Sequence, residues 1–273
     1  MRSVDDLDME TIRAGLAAQG ESIEVEVLQR CTSTNSELLA RTAVLSPVLL
    51  LADEQTAGRG RRGRRWHAVP GAAILFSLRW EFASDAARLG GLSLAVGVGI
   101  ARTLNDMGAH GITLKWPNDL LVSMGKGTAK LGGILIETRS SPERVAAVIG
   151  VGLNVRSTPG MATRLKRSVA SLAECIDPLP TRNEIAVRLA VELARTLRQF
   201  GRKGFEPFKA DWETLHANQG EAMRVRTATG KVIAGIADGV AADGGLLLRT
   251  RRGIQCIHSG TVVRDGGLRG SAS

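Results

Sequence analysis

Tyrosine is absent from the 273 residues, and aromatic side chains make up only 3% of them. A platform on which nucleic-acid bases stack needs several such rings, and so few are hard to assemble into one. Cysteine is also scarce. Cys31, Cys175 and Cys256 lie far apart with no Cys-x-x-Cys pair, which argues against a disulfide framework or a structural zinc site and favours a reducing cytoplasm. No apolar run reaches the roughly 18 residues of a membrane span, and the start, MRSVDDLDMETIRAGL, is acidic and amphipathic, unlike a signal peptide. The four histidines (His67, His110, His216 and His258) show no metal-ligand spacing, and Gly-x-Ser-x-Gly does not occur. Gly125-Lys126-Gly127-Thr128 resembles the tail of a P-loop but lacks the leading glycine and a hydroxyl residue directly after the lysine. No Ser-His-Asp or Cys-His nucleophile arrangement can be argued.

What the chain does have is a concentrated basic stretch. The net charge is +9, and five of those charges are the arginines of Gly58-Arg59-Gly60-Arg61-Arg62-Gly63-Arg64-Arg65-Trp66, which leaves 9 − 5 = +4 for all other residues. Glycines let a backbone turn back on itself and bring N–H groups close to a ligand, and arginines offer planar donors to carboxylate or phosphate oxygens. The stretch reads as a loop that closes over a small anion. Read alone, it is equally a solvated basic run or a nucleic-acid patch. A smaller basic cluster sits at Arg249, Arg251 and Arg252.

With 44% hydrophobic residues, the chain can bury one sizeable core with a smaller module beside it. Residues 5–19 have the spacing of a short amphipathic helix, and Ile23–Leu28 alternates as a half-buried strand does. Thr34 followed by Glu37 reads as a capping box, so a helix is expected from about Asn35, with the Ser33 and Thr34 hydroxyls at its N-terminus. Strands are expected at 48–52, 73–80, 112–115, 119–123, 131–138 and 145–153, and helices at 87–106 and within 162–216, most clearly Asn183–Phe200. After Gly220 short alternating runs separated by Thr-Gly, Asp-Gly and Arg-Gly turns indicate a small all-β module. The main body is α+β, with more strands than a strict βαβ alternation would contain. We expect a main domain at 1–217, the β module at 218–265 and a flexible tail at 266–273.

Three further stretches carry potential chemistry. Lys115-Trp116-Pro117-Asn118-Asp119 sets a cation, an aromatic ring, an amide and a carboxylate at a strand–loop junction. Lys130-Leu131-Gly132-Gly133-Ile134 puts a lysine at the start of an apolar strand beside two glycines, and Gly150–Asn154 ends another strand with an amide. Phosphoryl or adenylyl chemistry needs no nucleophile from the protein, because positioning and charge stabilisation carry it.

Taken together these stretches resemble the biotin–protein ligases. In that family the basic loop has the form GRGRxxRxW, and residues 58–66 fit every fixed position. Ser33-Thr34-Asn35, Gln55, KWPND at 115–119, KLGGIL at 130–135 and GxGxN at 150–154 follow the family in the same order. The resemblance implies a mixed sheet with flanking helices, like that of class II aminoacyl-tRNA synthetases, and a small C-terminal SH3-like β-barrel. It implies that biotin and ATP–Mg²⁺ give biotinyl-5′-AMP and pyrophosphate, after which biotin passes to a lysine of a biotin carboxyl carrier protein.

By the same resemblance Ser33, Thr34, Asn35, Gln55, Gly58, Arg59, Gly60, Arg61, Lys130 and Gly133 bind biotin, and Arg61, Arg64, Trp66, Asn118, Lys130 and Asn154 bind ATP or the adenylate. Lys130, Arg61, Asp119 and Lys115 are the catalytic candidates, with Asp119 a candidate for orienting either a metal or the incoming lysine; no metal ligand is otherwise assigned. Lys126 is the alternative to Lys130. Arg62 and Arg65 are expected to face water. Some relatives carry an N-terminal helix-turn-helix domain and act as repressors; residues 1–22 are too few for one, so no operator binding is expected. Two other readings compete. One is a lipoate or octanoate ligase of the same superfamily, whose Arg-Arg…Gly-Gly-Gly…His stretch is missing here. The other is a nucleic-acid-binding protein, which would bind with a steep salt dependence and ignore biotin. A homodimer formed through an exposed sheet edge is compatible with the pattern.

Overall fold

The computed structural model describes residues 5–41, 47–83, 89–125, 127–141, 144–165 and 167–263. The expected tail and Lys126 lie outside the described residues. The main body is a seven-stranded sheet in the order β1-β2-β3-β7-β6-β5-β4, made of β1 (Glu24–Cys31), β2 (Val48–Gln55), β3 (Ala73–Phe82), β4 (Ile112–Lys115), β5 (Asp119–Met124), β6 (Gly127–Ser140) and β7 (Val145–Asn154). β1 and β2 run parallel and every other neighbouring pair is antiparallel, so the sheet is mixed. The α+β expectation holds.

Strand alternation sorts the side chains onto two faces. Leu49, Leu51, Phe76, Leu78, Ile149 and Val151 are buried in the principal core under α1 (Met9–Ala18), α3 (Leu92–Asp106), α5 (Arg182–Lys203) and α6 (Glu206–Leu215). α5 opens on a capping box of Thr181 and Glu184, and its last turn carries Arg202 and Lys203, charges that suit the two ends of the helix dipole. Val48, Leu50 and Val148 point to the other face, where they bury Leu38 of α2 (Thr34–Ala40) in a smaller cluster. The first helix begins later than expected from the pattern, at Met9 with Asp8 as its cap.

The capping box expected at Thr34 and Glu37 does not form. The N-cap is Ser33, without a side-chain cap bond. The Thr34 N–H donates instead to Gln55 Oε1 at 2.8 Å, and Glu37 accepts from Thr32 Oγ1 at 3.3 Å. The strand end of β2 therefore supplies the acceptor that a local cap would have supplied.

The C-terminal module contains β8 (Ala222–Thr227), β9 (Val232–Val240), β10 (Leu246–Thr250), β11 (Gly253–Ile257) and β12 (Gly260–Val263). Its sheet has the order β11-β10-β9-β8-β12 and stays open, with β11 and β12 at its edges. The expected SH3-like barrel is therefore corrected to an open antiparallel sheet. The physical reason lies in what covers its apolar face. Val225, Ala237, Val240, Leu246 and Leu248 belong to the same buried cluster as the main body, so the sheet packs against that body and does not need closure to exclude water. Trp116 Nε1 donates to Gly244 O at 3.1 Å, and the Val240 N–H donates to Glu213 Oε1 at 3.1 Å.

Candidate active site

Register builds the floor of a cleft on the sheet face opposite the main helices. Ser77 pairs with Gly150, Gly150 with Leu135, Gly133 with Gly152, and Asp119 with Gly133. Residues directly opposite in a ladder share a face, so Ser77, Gly150, Gly152 and Gly133 form a strip of minimal side chains. The strip is occupied by larger neighbours. A Cβ on Gly150 would meet Asn35 Oδ1 at 2.2 Å, and one on Gly152 would meet Trp66 Cε2 at 2.5 Å. One on Gly133 would lie 3.2 Å from Lys130 Nζ and 3.3 Å from the Trp66 ring. The three glycines are there because other groups lie flat on the backbone.

Lys130 reaches this face through an irregularity. The β5–β6 register shifts between Leu120 and Leu121, so that Leu120 pairs with Gly132 but Leu121 pairs with Lys130. In a regular ladder Lys130 would point away from Asp119, since neighbours alternate. The bulge at Leu131 turns it onto the same face. Lys130 Nζ then forms an ion pair with Asp119 and lies 5.5 Å from the Trp66 ring centroid. Burial holds the Lys130 ammonium below its ordinary pKa, Asp119 opposes that shift, and Arg167 and Lys115 add to it.

At one end of the cleft a buried polar network surrounds α2. Ser77 Oγ donates to Asn35 Oδ1 at 2.6 Å and lies 2.7 Å from Thr34 Oγ1. Thr34 Oγ1 donates to Gln55 Oε1 at 3.2 Å. Asn35 Nδ2 donates to Leu135 O at 3.1 Å and to Glu137 Oε2 at 2.9 Å. Ser33, Thr34 and Asn35 are at most 3% exposed. Buried polar groups held this way are rigid and present fixed donors and acceptors.

The basic loop crosses the cleft as a small hairpin. Arg59 bridges to Arg65, the Gly60 N–H donates to Arg64 O at 2.7 Å and the Trp66 N–H to Gly58 O at 2.9 Å. Arg62 takes a left-handed φ of 57° at the tip. The arginines divide by partner. Arg59 pairs with Glu137 at 2.7 Å and donates to Ser36 Oγ at 3.3 Å. Arg61 is half-buried; burial and the adjoining Arg62 lower its pKa, Asp119 opposes, and Arg64 adds to the lowering. Arg62 and Arg65, expected to face water, are exposed but line the same cleft as the other three arginines, and both are engaged. Arg62 donates to Thr261 Oγ1 at 2.8 Å, and Arg65 donates to Thr56 O at 2.8 Å.

Ser33, Thr34, Asn35, Gln55, Arg59, Gly60, Arg61, Arg64, Trp66, Lys115, Asn118, Asp119, Lys130 and Gly133 all line this one cleft. Gly58 contributes backbone beside it: a Cβ there would meet Trp66 O at 2.7 Å. Asn154 is not brought in. Its Nδ2 donates to Ala170 O at 3.0 Å, and the residue borders a neighbouring cavity with Ala170 and Glu174. Asn118 Nδ2 donates to Ile134 O at 2.7 Å, which ties the 116–119 turn to β6, and the Trp116–Pro117 peptide is cis. Sequence reasoning missed Ser77 and Glu137, which hold Asn35, and Arg167 and Gly260-Thr261-Val262, which line the cleft. A lone serine within the apolar run of β3 was the one available signal.

These features define a cleft that sets a guanidinium loop and a largely buried lysine beside a rigid network of hydroxyl and amide groups. Comparison with known proteins agrees. Residues 26–154 match the model of the biotin/lipoate A/B protein ligase family and residues 220–264 that of the biotin protein ligase C-terminal domain. The bifunctional ligase/repressor BirA of Escherichia coli K12 is 35% identical over 82% of this chain and 68% of its own length. The biotin--[acetyl-CoA-carboxylase] ligase of Mycobacterium tuberculosis is 33% identical over 94% of this chain and 95% of its own. Among solved structures, biotin protein ligase from Aquifex aeolicus in complex with biotin and ATP superposes with a TM-score of 0.73 at 26% identity, covering 88% of this chain and 97% of that one. The chain belongs to the biotin protein ligase family.

Proposed function

We propose that this chain is an ATP-dependent biotin–protein ligase, which activates biotin to biotinyl-5′-AMP with release of pyrophosphate and then transfers biotin to a lysine of a biotin carboxyl carrier protein domain. The observation that carries this reading is the Lys130–Asp119 pair beneath Trp66, set between a buried amide–hydroxyl network and a guanidinium loop. In the first step a carboxylate oxygen attacks the α-phosphorus of ATP and pyrophosphate leaves. Two anions must approach, and two unit charges about 4 Å apart repel by roughly 4 kcal/mol at an effective dielectric near 20. Lys130 and Arg61 neutralise that repulsion and hold the charge that builds on the phosphoryl oxygens. Arg64 takes the outer phosphates, and Trp66 and Asn118 take the adenylate.

The Ser33–Thr34–Asn35 network with Gln55 reads the ureido end of biotin, whose N–H and C=O groups complement fixed acceptors and donors. Gly58, Arg59 and Gly60 close the loop over the chain and carboxylate of biotin, and Gly133 leaves room for them. In the second step the carrier lysine's amine attacks the acyl carbon and AMP leaves. Asp119, which lines the cleft beside Lys130, orients that amine, and Lys115 adds positive charge to the same cleft. Mg²⁺ brought with ATP neutralises the triphosphate, and the Asp119 carboxylate in the cleft fits such an ion together with phosphate oxygens and water. In this reading residues 1–217 form the catalytic domain and 218–265 the accessory module. Three unpaired cysteines support a cytoplasmic setting, and the β1 edge offers a surface for a homodimer.

The test is pyrophosphate release from ATP–Mg²⁺ with biotin, with lipoate or octanoate, and with no acid. Release that depends on biotin supports the reading. Equal release without biotin overturns it, and release driven by lipoate or octanoate moves the chain to the other ligase class.

A further inference from the structure

The second sheet carries a cluster of side chains that the ligase chemistry does not use. Asp243, Cys256 and His258 converge so that one ligand atom from each lies within 4.8 Å of the others. Cys256 and His258 are two residues apart at the end of β11 and so project to the same side. Asp243 comes from the turn between β9 and β10, where Gly244 has a φ of +79°. That turn explains why the histidine spacing in the sequence shows no metal pattern.

The convergence is prepared by the backbone. The Gly245 N–H donates to Asp243 Oδ1 at 3.0 Å, leaving Oδ2 to face His258 Nε2 at 2.8 Å. A Cβ on Gly245 would lie 2.5 Å from Cys256 Sγ and 3.1 Å from the His258 ring, so only glycine leaves space for the two side chains to meet. Cys256 Sγ lies 3.6 Å from the same Nε2.

The shared nitrogen decides between two chemistries. In a nucleophilic triad the carboxylate holds one ring nitrogen and the nucleophile faces the other, so that the imidazole relays a proton between them. Here both the carboxylate and the thiol face Nε2, and no relay exists. A sulfur, a nitrogen and an oxygen within 4.8 Å of one another are instead a ligand set that one metal ion can draw together. Tetrahedral zinc, with bonds of about 2.3 Å to sulfur and about 2.0–2.1 Å to nitrogen, sets the sulfur–nitrogen separation at roughly 3.6 Å, the distance found. The oxygen–nitrogen pair would open by about 0.5 Å to reach the corresponding tetrahedral edge, which the exposed Asp243 side chain permits.

We propose that Asp243, Cys256 and His258 form a binding site for a single zinc-like transition-metal ion, with water as its fourth ligand. The site braces the turn that the main body leans on. Gly244 O accepts from Trp116 Nε1, and Asp243 O packs so close to Gly90 that a Cβ there would meet it at 2.9 Å. Bound metal would fix that turn one residue from the Trp116 contact.

The test uses the full chain with its thiols reduced. Co²⁺ titration should produce one equivalent of tetrahedral cobalt with a thiolate-to-cobalt charge-transfer band, removed by Zn²⁺. Zn²⁺ should slow alkylation of Cys256, read by peptide mass, while the partly exposed Cys175 serves as the internal reference. Cys256→Ser should abolish the band without changing thermal unfolding in metal-free buffer. Asp243→Asn and His258→Ala should each weaken Zn²⁺ binding at least about tenfold, the scale of losing even an outer-shell partner. No charge-transfer band, a band that survives Cys256→Ser, or Cys256 alkylation indifferent to Zn²⁺ would each overturn the proposal.

Discussion

Replacing Lys130 by alanine removes the one cation that the β6 bulge turns onto the cleft face beside Asp119. Two consequences separate cleanly. In the proposed reaction a pre-positioned donor to the phosphoryl oxygens is lost, and loss of one such donor lowers turnover by about 10²–10³, or about 2.7–4 kcal/mol. The fold loses much less. The Lys130 side chain is 13% exposed, so burial already disfavours its charge, while Asp119 is 29% exposed and keeps Arg61 nearby. Removing the lysine therefore leaves a partly solvated carboxylate, and the stability change should lie nearer the ~1 kcal/mol of a surface pair than the ~3–5 kcal/mol of a broken buried one. Lys130→Arg should recover only part of the rate, because even a Cβ on Gly133 would crowd Nζ at 3.2 Å and a planar guanidinium is wider than an ammonium. The assay is single-turnover formation of biotinyl-AMP, with thermal unfolding of each variant in parallel. A loss below about tenfold for Lys130→Ala, worth about 1.4 kcal/mol, would refute the charge-stabilising role. So would a rate loss matched by unfolding.

Four further outcomes follow from the same geometry. Gly152→Ala puts a methyl 2.5 Å from Trp66; because the loop rather than the sheet yields, turnover should fall while the melting temperature barely moves, and Trp66 fluorescence should shift. Ser77→Ala leaves Asn35 Oδ1 without its donor, which costs about 1–3 kcal/mol and should raise KM for biotin more than KM for ATP. Added biotin should protect the 58–65 peptide bonds from a trypsin-like protease, and Arg62→Ala, which cuts the tie to Thr261, should speed cutting of the free protein; unchanged cutting in both cases would contradict a closing loop. His216 is buried against Trp212 and its pKa is lowered below 6.5 chiefly by that burial. The unfolded chain then takes up the proton first, so stability is complete above about pH 6.5 and falls as pH drops, by up to ~1.4 kcal/mol per pH unit; His216→Phe should flatten that part of the urea-midpoint profile.

The strands of the main sheet were legible because β3, β5, β6 and β7 are apolar runs bounded by turn residues. The four motifs were legible because glycines and charges interrupt those runs at fixed places. The sheet register was not, and with it went the reason for the glycines. Nothing in the chain announces that Gly150 lies beneath Asn35 or Gly152 beneath Trp66, since these are contacts between distant segments. The Thr34–Glu37 box misled because local capping lost to Gln55, 21 residues away. Asn154 ends its strand as expected, but its amide donates to the backbone carbonyls of Ala170 and Lys130 and does not line the cleft. Closure of the C-terminal module was misjudged for a related reason. Short alternating strands fit a barrel and an open sheet equally well, and only the neighbouring body, which covers the apolar face, distinguishes them.

In the proposed function one cleft both activates biotin and hands it to a protein lysine. Incubating the chain with biotin, ATP–Mg²⁺ and an apo biotin carboxyl carrier domain, then weighing the carrier by intact mass, tests it most directly. The expected result is a single biotinyl addition to one lysine that requires ATP and disappears with Lys130→Ala. An unmodified carrier under conditions where the protein is folded, or a carrier modified equally well by the Lys130→Ala variant, would contradict it.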